Sequence, residues 1–259
     1  MPTQMQKAIV TAVQKRKLQE QVQATYGVEL PWDALDTAIR HAVTMREREP
    51  VVWGFPLLKH VTSYWLDGFV HQVARHLHPR DGFLIERGGH TAVNRIAMAR
   101  DFMEHFPDHK WLVMVDDDVV YKGVHDPVRI LQAAAKANDA LIVGAPYCQK
   151  VSPFKHHVYE RRPHPNGGTT LQHVHHDGGV HEVDAVGTGF LMIAREAFEK
   201  IGEPWFAYRF GFKDEPDWGE DMFFCDRARS AGLKILADYR VELGHVDDSE
   251  RLMKYWTAA

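Results

Sequence analysis

Between residues 51 and 147 short apolar runs alternate with segments of helical period, and this alternation constrains the fold more than any other feature. "VVWGFPLLK" (51–59), "GFLIE" (82–86), "WLVMV" (111–115) and "ALIVGAPY" (140–147) are too short for buried helices and read as strands. Between them lie "VTSYWLDGFVHQVARHL" (61–77), "TAVNRIAMARDFMEHF" (91–106) and "DPVRILQAAAKAN" (126–138). The first places Tyr64, Trp65, Phe69, Val73 and Leu77 on one side, and the second spaces Ile96, Ala99, Met103 and Phe106 by 3, 4 and 3. Strands joined through helices pair in parallel, because a parallel pair needs a long crossover. The expected fold is α/β, a central mostly parallel sheet flanked by helices.

The flanks follow different rules. Residues 3 to about 48 read as a helical arm in two pieces, restarting after Pro31 and ended by Pro50. The arm (1–49) and the α/β domain (50–259) form the expected division, with the arm packing on the domain or on a second subunit as a homo-oligomer contact. Residues 149–181 are rich in Gly, Pro and His, lack a core pattern and read as a long loop or hairpin excursion. Order resumes with "VDAVGTGFLMIA" (183–194), a helix ending at Gly202, an aromatic loop, a helix 220–232 and a last strand running into "GHVDD".

Net charge is −4, so there is no global basic field to hold nucleic acid, and such a contact would have to be local. Cys148 and Cys225 make no CxxC and no disulfide framework, which suits a reducing, cytoplasmic setting. No apolar run reaches membrane-spanning length, and the first residues are too polar for a signal peptide.

The most apolar strand runs directly into Asp116, Asp117 and Asp118. Carboxylates beside a core need positive partners. In an extended segment Asp116 and Asp118 point the same way, and in α/β sheets ligands bind beyond the carboxyl ends of the strands. Such a pair suits Mg²⁺ or Mn²⁺; the plain alternative is a solvated turn. Gly187 and Gly189 interrupt an apolar strand, which points to close approach of a backbone or ligand. Glu220 and Asp221 open a helix, where the dipole favours carboxylates. Gly244 and His245 close a strand.

This ordered set (DxD, glycine loop, Glu-Asp pair, C-terminal His) resembles nucleotide-sugar-dependent glycosyltransferases of the GT-A, Rossmann-like fold, and within them the family 2-like enzymes found in bacteriophages. The resemblance covers about residues 51–247. It implies a donor that is a nucleotide sugar, most commonly a UDP-sugar, and a Mn²⁺ or Mg²⁺ ion held by Asp118 and His245 with Asp116 in support. It implies Asp221 as catalytic base of an inverting reaction and Glu220 on the acceptor. Phe55, Pro56 and Glu86 would hold the nucleobase, Asn94, Asp116 and Asp117 the rest of the nucleotide, and Gly187 and Gly189 the sugar and acceptor; Trp218, read from the residues alone, would stack on a sugar or base, or pack beneath its loop. Related sequences carry Arg-Asn before DxD, whereas Val93 precedes Asn94 in this chain, so Arg95 or Arg87 would have to supply that cation.

Two further chemistries compete. A sugar nucleotidyltransferase would need a glycine-rich basic loop after the first strand, where "WGFPLLKHVTS" stands, and a non-catalytic binding relative would not need the whole set. For the acceptor, Lys155, Arg161 and Arg162 in the excursion offer a local patch for a modified phage DNA base, with a glycan, protein or lipid as alternatives. Trp205, Phe206 and Tyr208 would stack on a sugar or base, or pack beneath their loop. The histidines of residues 155–181 have irregular spacing and no cysteine, which suits a mobile acceptor loop better than structural zinc.

Overall fold

The structure, a computed structural model, describes residues 20, 48–57, 63–150, 152–163, 169–210, 218–246 and 252–253. The chain divides into residues 1–48 and 49–259. The expected helical arm, and the oligomer contact assigned to it, lie outside the described residues.

The second unit is built on a seven-stranded sheet. Its strands are β1 (Val51–Leu57), β2 (Gly82–Arg87), β3 (Trp111–Val115), β5 (Ile142–Gly144), β8 (Val180–Val183), β10 (Phe190–Ala194) and β11 (Ile235–Asp238). Their spatial order is β2-β1-β3-β10-β5-β11-β8. β1, β2, β3, β5 and β11 run one way, and β10 and β8 run against them. The fold is thus the mostly parallel, Rossmann-like α/β class. Strict alternation ends after β5, where the chain leaves the sheet and returns reversed.

Every residue of β3 and β10 is buried, which is why both read as unbroken apolar runs. The period of two then sorts side chains between two layers. Trp53, Phe55, Trp111 and Val113 join one core with helix α1 (Ser63–Gly68), the π and 3₁₀ turns that extend it to His76, and helix α3 (Pro127–Asn138). Val52, Leu112 and Met114 join the other with α2 (Thr91–His105), α4 (Arg195–Ile201) and α5 (Glu220–Ser230). α3 starts where it does because the Asp126 carboxylate accepts from Val128 N at 3.0 Å and Arg129 N at 3.2 Å, with Pro127 at the first helical position.

Two small sheets complete the unit: β4 (Val119–Tyr121) with β12 (Leu243–Val246) and β13 (Leu252–Met253), and β6 (Val158–Pro163) with β7 (Thr169–His173) and β9 (Ala185–Val186). The excursion at 149–181 therefore carries the strands β6 and β7 and the start of β8. Its antiparallel β6–β7 pair is half-buried without clean alternation, so the periodicity that marks a strand is missing.

Candidate functional site

The site forms where β3 ends. β3 stops at Val115, Asp117 and Asp118 turn, and β4 begins at Val119. The turn is anchored from both sides: Asp116 N donates to Gly189 O at 3.0 Å and Val246 N donates to Asp118 O at 2.8 Å. Because the extended backbone ends before Asp116, the period-of-two rule lapses. Among the described residues Asp116 and Asp118 have different side-chain partners.

Asp118 and His245 are brought together. β12 pairs with β4, and His245 Nε2 stands 3.4 Å from Asp118 Oδ1. The other ring nitrogen, Nδ1, donates to Cys148 O at 2.8 Å. A neutral imidazole so oriented aims its Nε2 lone pair at a carboxylate oxygen. Two electron-rich atoms face each other, and either a proton on Nε2 or a cation between them completes the pair. Adjacent ligands of an octahedral ion with bonds near 2.1 Å lie about 3 Å apart, so the donor set and its spacing fit a hard divalent cation. Among the described residues no group of three or more such ligands converges; an ion of this kind takes its remaining ligands from water and substrate phosphates. Asp118's second oxygen accepts from Lys150 Nζ at 2.7 Å. Burial alone would raise the Asp118 carboxyl, but His245 and Lys150 pull it down to about 2.

Asp116 answers to a different cation. Arg95 on α2 is 1% exposed, and its Nη2 donates to both Asp116 oxygens, at 2.8 and 3.0 Å. Its Nε donates to Glu220 Oε1 at 3.4 Å. Burial would lower the guanidinium's pKa, yet Asp116 and Glu220 hold it well above its usual value. The same burial, opposed by Arg95 and reinforced by Asp118, pushes Asp116 up to about 6, still ionised at neutral pH. Arg95 thus joins the DxD turn to the start of α5. Arg87, by contrast, is exposed on edge strand β2.

Asp221 follows Glu220 in the first turn of α5, and its Oδ1 accepts from Met222 N at 2.8 Å. Burial and the neighbouring Glu220 push it up to about 6. Tyr147, which nothing in the sequence singled out, is central. Gly189 N donates to its hydroxyl at 3.2 Å, and its ring meets the His245 ring edge-on at 5.1 Å. Burial, with Asp116 and Asp221 nearby, holds the phenol well above its usual pKa, so it stays protonated. A Cβ at Gly187 would stand 2.6 Å from the Tyr147 hydroxyl, and one at Gly189 2.7 Å from Tyr147 Cζ. These glycines make room for that ring.

Neither a family model nor a curated protein matches this chain. Among solved structures, A197 from STIV is 22% identical, with a TM-score of 0.56 over 79% of this chain and 93% of that one. That likeness establishes a shared fold. UDP-glucose pyrophosphorylase (apo form; 12% identity, TM-score 0.37, 78% of this chain and 77% of that one) is more distant. So is CMP:2-keto-3-deoxy-manno-octonic acid synthetase complexed with CTP (11%, 0.38, 74% and 90%). At TM-scores below 0.5 neither of the last two bears on function.

The remaining expected residues are more dispersed. Phe55 is buried, edge-on to Trp65 and Phe69 and stacked on half-exposed Phe83, and Pro56 beside it is also buried. Glu86 lies opposite Pro56 in the β1–β2 register, raised by burial and by Asp101. Asn94 accepts from Gly89 N at 3.1 Å, and its buried amide nitrogen has no hydrogen-bond partner among the described residues. Asp117 sits half-buried in the DxD turn. The Arg209 guanidinium lies 5.0 Å over the Trp218 ring. Trp205 and Phe206 are core residues, Trp205 Nε1 donating to Phe198 O and Phe206 stacking on Phe224, which leaves Tyr208 exposed. The excursion's histidines pack as rings: His156 stacks on His175, His176 on His181, and Tyr239 stands edge-on to all four. Arg161 pairs with Asp226 and Arg162 with Glu160. Among the described residues no helix is long and apolar enough to cross a membrane.

Proposed function

We propose that this chain is a metal-dependent, inverting glycosyltransferase that uses a nucleotide-sugar donor. The observation that carries the reading is the Asp118 carboxylate facing His245 Nε2, with His245 Nδ1 committed to the Cys148 carbonyl. Asp118 and His245 would hold Mn²⁺ or Mg²⁺. That ion, when bound, stabilises the negative charge that grows on a departing diphosphate.

The chain's own residues supply the rest. Arg95 fixes Asp116 and Glu220, so the DxD turn and the start of α5 keep one geometry as charges change. Asp221, with its pKa near 6, is ionised at pH 7 yet basic enough to accept a proton. It would take that proton from an acceptor hydroxyl, whose oxygen bonds to the anomeric carbon as the bond from that carbon to the diphosphate breaks. Tyr147 stays protonated and acts as a neutral wall beneath the glycine loop.

The base also favours sugar transfer over nucleotidyl transfer to a sugar phosphate. Where the nucleophile of nucleotidyl transfer is a sugar phosphate, already ionised at neutral pH, no base is needed, so the base argues against that form of the reaction. Pairing of Arg161 and Arg162 with acids takes two charges from the patch a DNA acceptor would use, which supports a neutral, glycan-type acceptor. The test is incubation of the full chain with UDP-sugars and Mn²⁺, with and without acceptors. Metal-dependent UDP release that Asp118→Ala abolishes is the expected result. Pyrophosphate formation from a sugar phosphate and UTP would replace this reading with nucleotidyl transfer.

A further inference from the structure

Three imidazoles meet beside the glycine loop. The His157 ring stands edge-on to His245 at 6.2 Å and to His173 at 6.5 Å, and the Tyr147 ring lies against it at 4.9 Å. The backbone fixes its place: His157 N donates to Tyr147 O at 2.9 Å, and Gly187 N donates to His157 O at 2.7 Å. A Cβ at Gly187 would stand 2.8 Å from the His157 Cβ, so that glycine makes room for His157 as well. The other two rings spend both nitrogens on the protein. His245 gives Nδ1 to Cys148 O and turns Nε2 to Asp118. His173 gives Nδ1 to His156 O at 2.8 Å and turns Nε2 to Gln149 Nε2 at 3.3 Å. His157 engages only Nδ1, 3.2 Å from the Tyr159 hydroxyl, and among the described residues its Nε2 has no hydrogen-bond partner.

Tyr159 decides which nitrogen of His157 carries the proton. Burial, and after it the Asp221 carboxylate, hold the phenol well above its usual pKa, so it stays protonated. Its hydrogen-bond partner among the described residues is His157 Nδ1. A half-buried hydroxyl with one acceptor in reach donates to it, because the alternative leaves its proton unsatisfied. Burial, with His245 and His173 beside it, pushes the His157 imidazole down to about 4, so the ring has one proton at neutral pH. With Nδ1 accepting, that proton stands on Nε2. The pair also spans the site. His245 and Asp118, the candidate cation seat, act electrostatically on His157, and Asp221, the candidate base, acts on Tyr159. His157 is therefore the member on the donor's side. A neutral N–H there can bond an anionic oxygen without the repulsion that a second cation would meet beside a divalent ion.

Resting on the reading of Asp118 and His245 as the cation seat, we propose that His157 donates its Nε2–H to an oxygen of the donor's diphosphate, with Tyr159 as the positioning residue that keeps the proton on that nitrogen. The bond strengthens as negative charge grows on the departing diphosphate, so it acts on the chemical step as well as on binding.

Measurements on the full chain test this without turnover. Long-range proton–nitrogen spectra of protein carrying isotope-labelled histidine report which ring nitrogen is protonated, and His157→Gln identifies the signal. Calorimetry in saturating Mn²⁺ gives UDP affinity, and electron paramagnetic resonance gives the binding of Mn²⁺ alone. The His157 signal is expected in the Nε2–H form, moving towards a mixture of tautomers in Tyr159→Phe. UDP affinity is expected to fall about tenfold in His157→Phe and about two- to fivefold in Tyr159→Phe. His157→Gln keeps a neutral N–H at similar reach and should stay within about threefold of the unaltered protein. Binding of Mn²⁺ alone should change in none of the three. A proton on Nδ1, or UDP affinity in His157→Phe within about twofold of the unaltered protein, overturns the inference. So does an equal loss of UDP and Mn²⁺ affinity, since the ring would then only shape the seat. If Asp118→Ala abolishes Mn²⁺-dependent UDP binding while His157→Phe binds normally, the inference alone falls. If Asp118→Ala binds Mn²⁺ and UDP as the unaltered protein does, the cation seat is misplaced and the functional reading falls with it.

Discussion

Replacing Arg95 by methionine keeps an apolar stem of similar length and removes the guanidinium, leaving Asp116 and Glu220 half-buried without their cation. Breaking a buried ion pair from one side typically costs about 3–5 kcal/mol. The two carboxylates retain 21% and 13% of their side-chain surface, so water softens the loss, and the lower end, about 3 kcal/mol, is expected. For a domain of 150–250 residues this lowers Tm by roughly 6–12 °C.

The effect also carries a pH signature. In the unaltered protein Asp116 is raised to about 6. Without Arg95 its folded pKa rises further, since burial and Asp118 are no longer opposed. A carboxyl raised on folding contributes stability that is present below its unfolded pKa and lost as pH climbs through the folded one. Below about 6 both proteins lose stability in parallel; above it the loss stops in the unaltered protein and continues in Arg95→Met. Thermal unfolding by circular dichroism from pH 5 to 8 should therefore show a Tm gap that widens above pH 6. Adding Asp116→Asn to Arg95→Met should recover at least half of it. A gap below about 1 kcal/mol, or one that is flat across this range, would refute the idea that Arg95 braces the two acidic segments.

Asp221 and Gly189 offer separate checks. Asp221 must be ionised to act as base, so donor-to-acceptor turnover should fall as pH drops through about 6. Asp221→Asn should remove that limb and slow turnover by about 10²–10⁴-fold while UDP affinity is kept; an unchanged acid limb would assign it to another group. Gly189→Ala forces a methyl 2.7 Å from Tyr147 Cζ, in a ring already packed on His157 and His245, and should cost about 1–3 kcal/mol by urea unfolding. A change within about 0.5 kcal/mol would mean the ring moves freely.

Much of this architecture was legible in advance, for reasons that differ by element. β3 was readable to the residue because it is buried on both faces and bounded by Lys110 and Asp116. α3 announced its start through Asp126 and Pro127. The reversal of β10 was not readable, since a central strand has the same apolar pattern in either direction. In the site, the Asp118–His245 approach was expected from the family resemblance alone, and the pairing of β4 with β12 is what brings the two side chains together. Tyr147 and Lys150 were invisible. Tyr147 ends an apolar run and looks like core, and it reveals its place only by the room that Gly187 and Gly189 leave for it. Lys150 reaches Asp118 across 32 residues of sequence through a loop with no periodic signal.

Three aspartates directly after a fully buried strand look like an electrostatic mistake, and their tolerance depends on where the backbone turns. Had β3 continued by three residues, Asp116 and Asp118 would have shared one face and one environment. Because it stops at Val115, the carboxylates separate: Asp116 faces a buried guanidinium, and Asp118 faces an imidazole and a partly exposed ammonium. The first pairing cannot open without breaking the link to Glu220, so it serves the fold. The second joins groups that water already reaches, and one member sits on a side chain able to swing away. The turn at 117–118 thus gives two carboxylates two positions apart different partners, one held by a buried arginine and one shared by groups that water reaches.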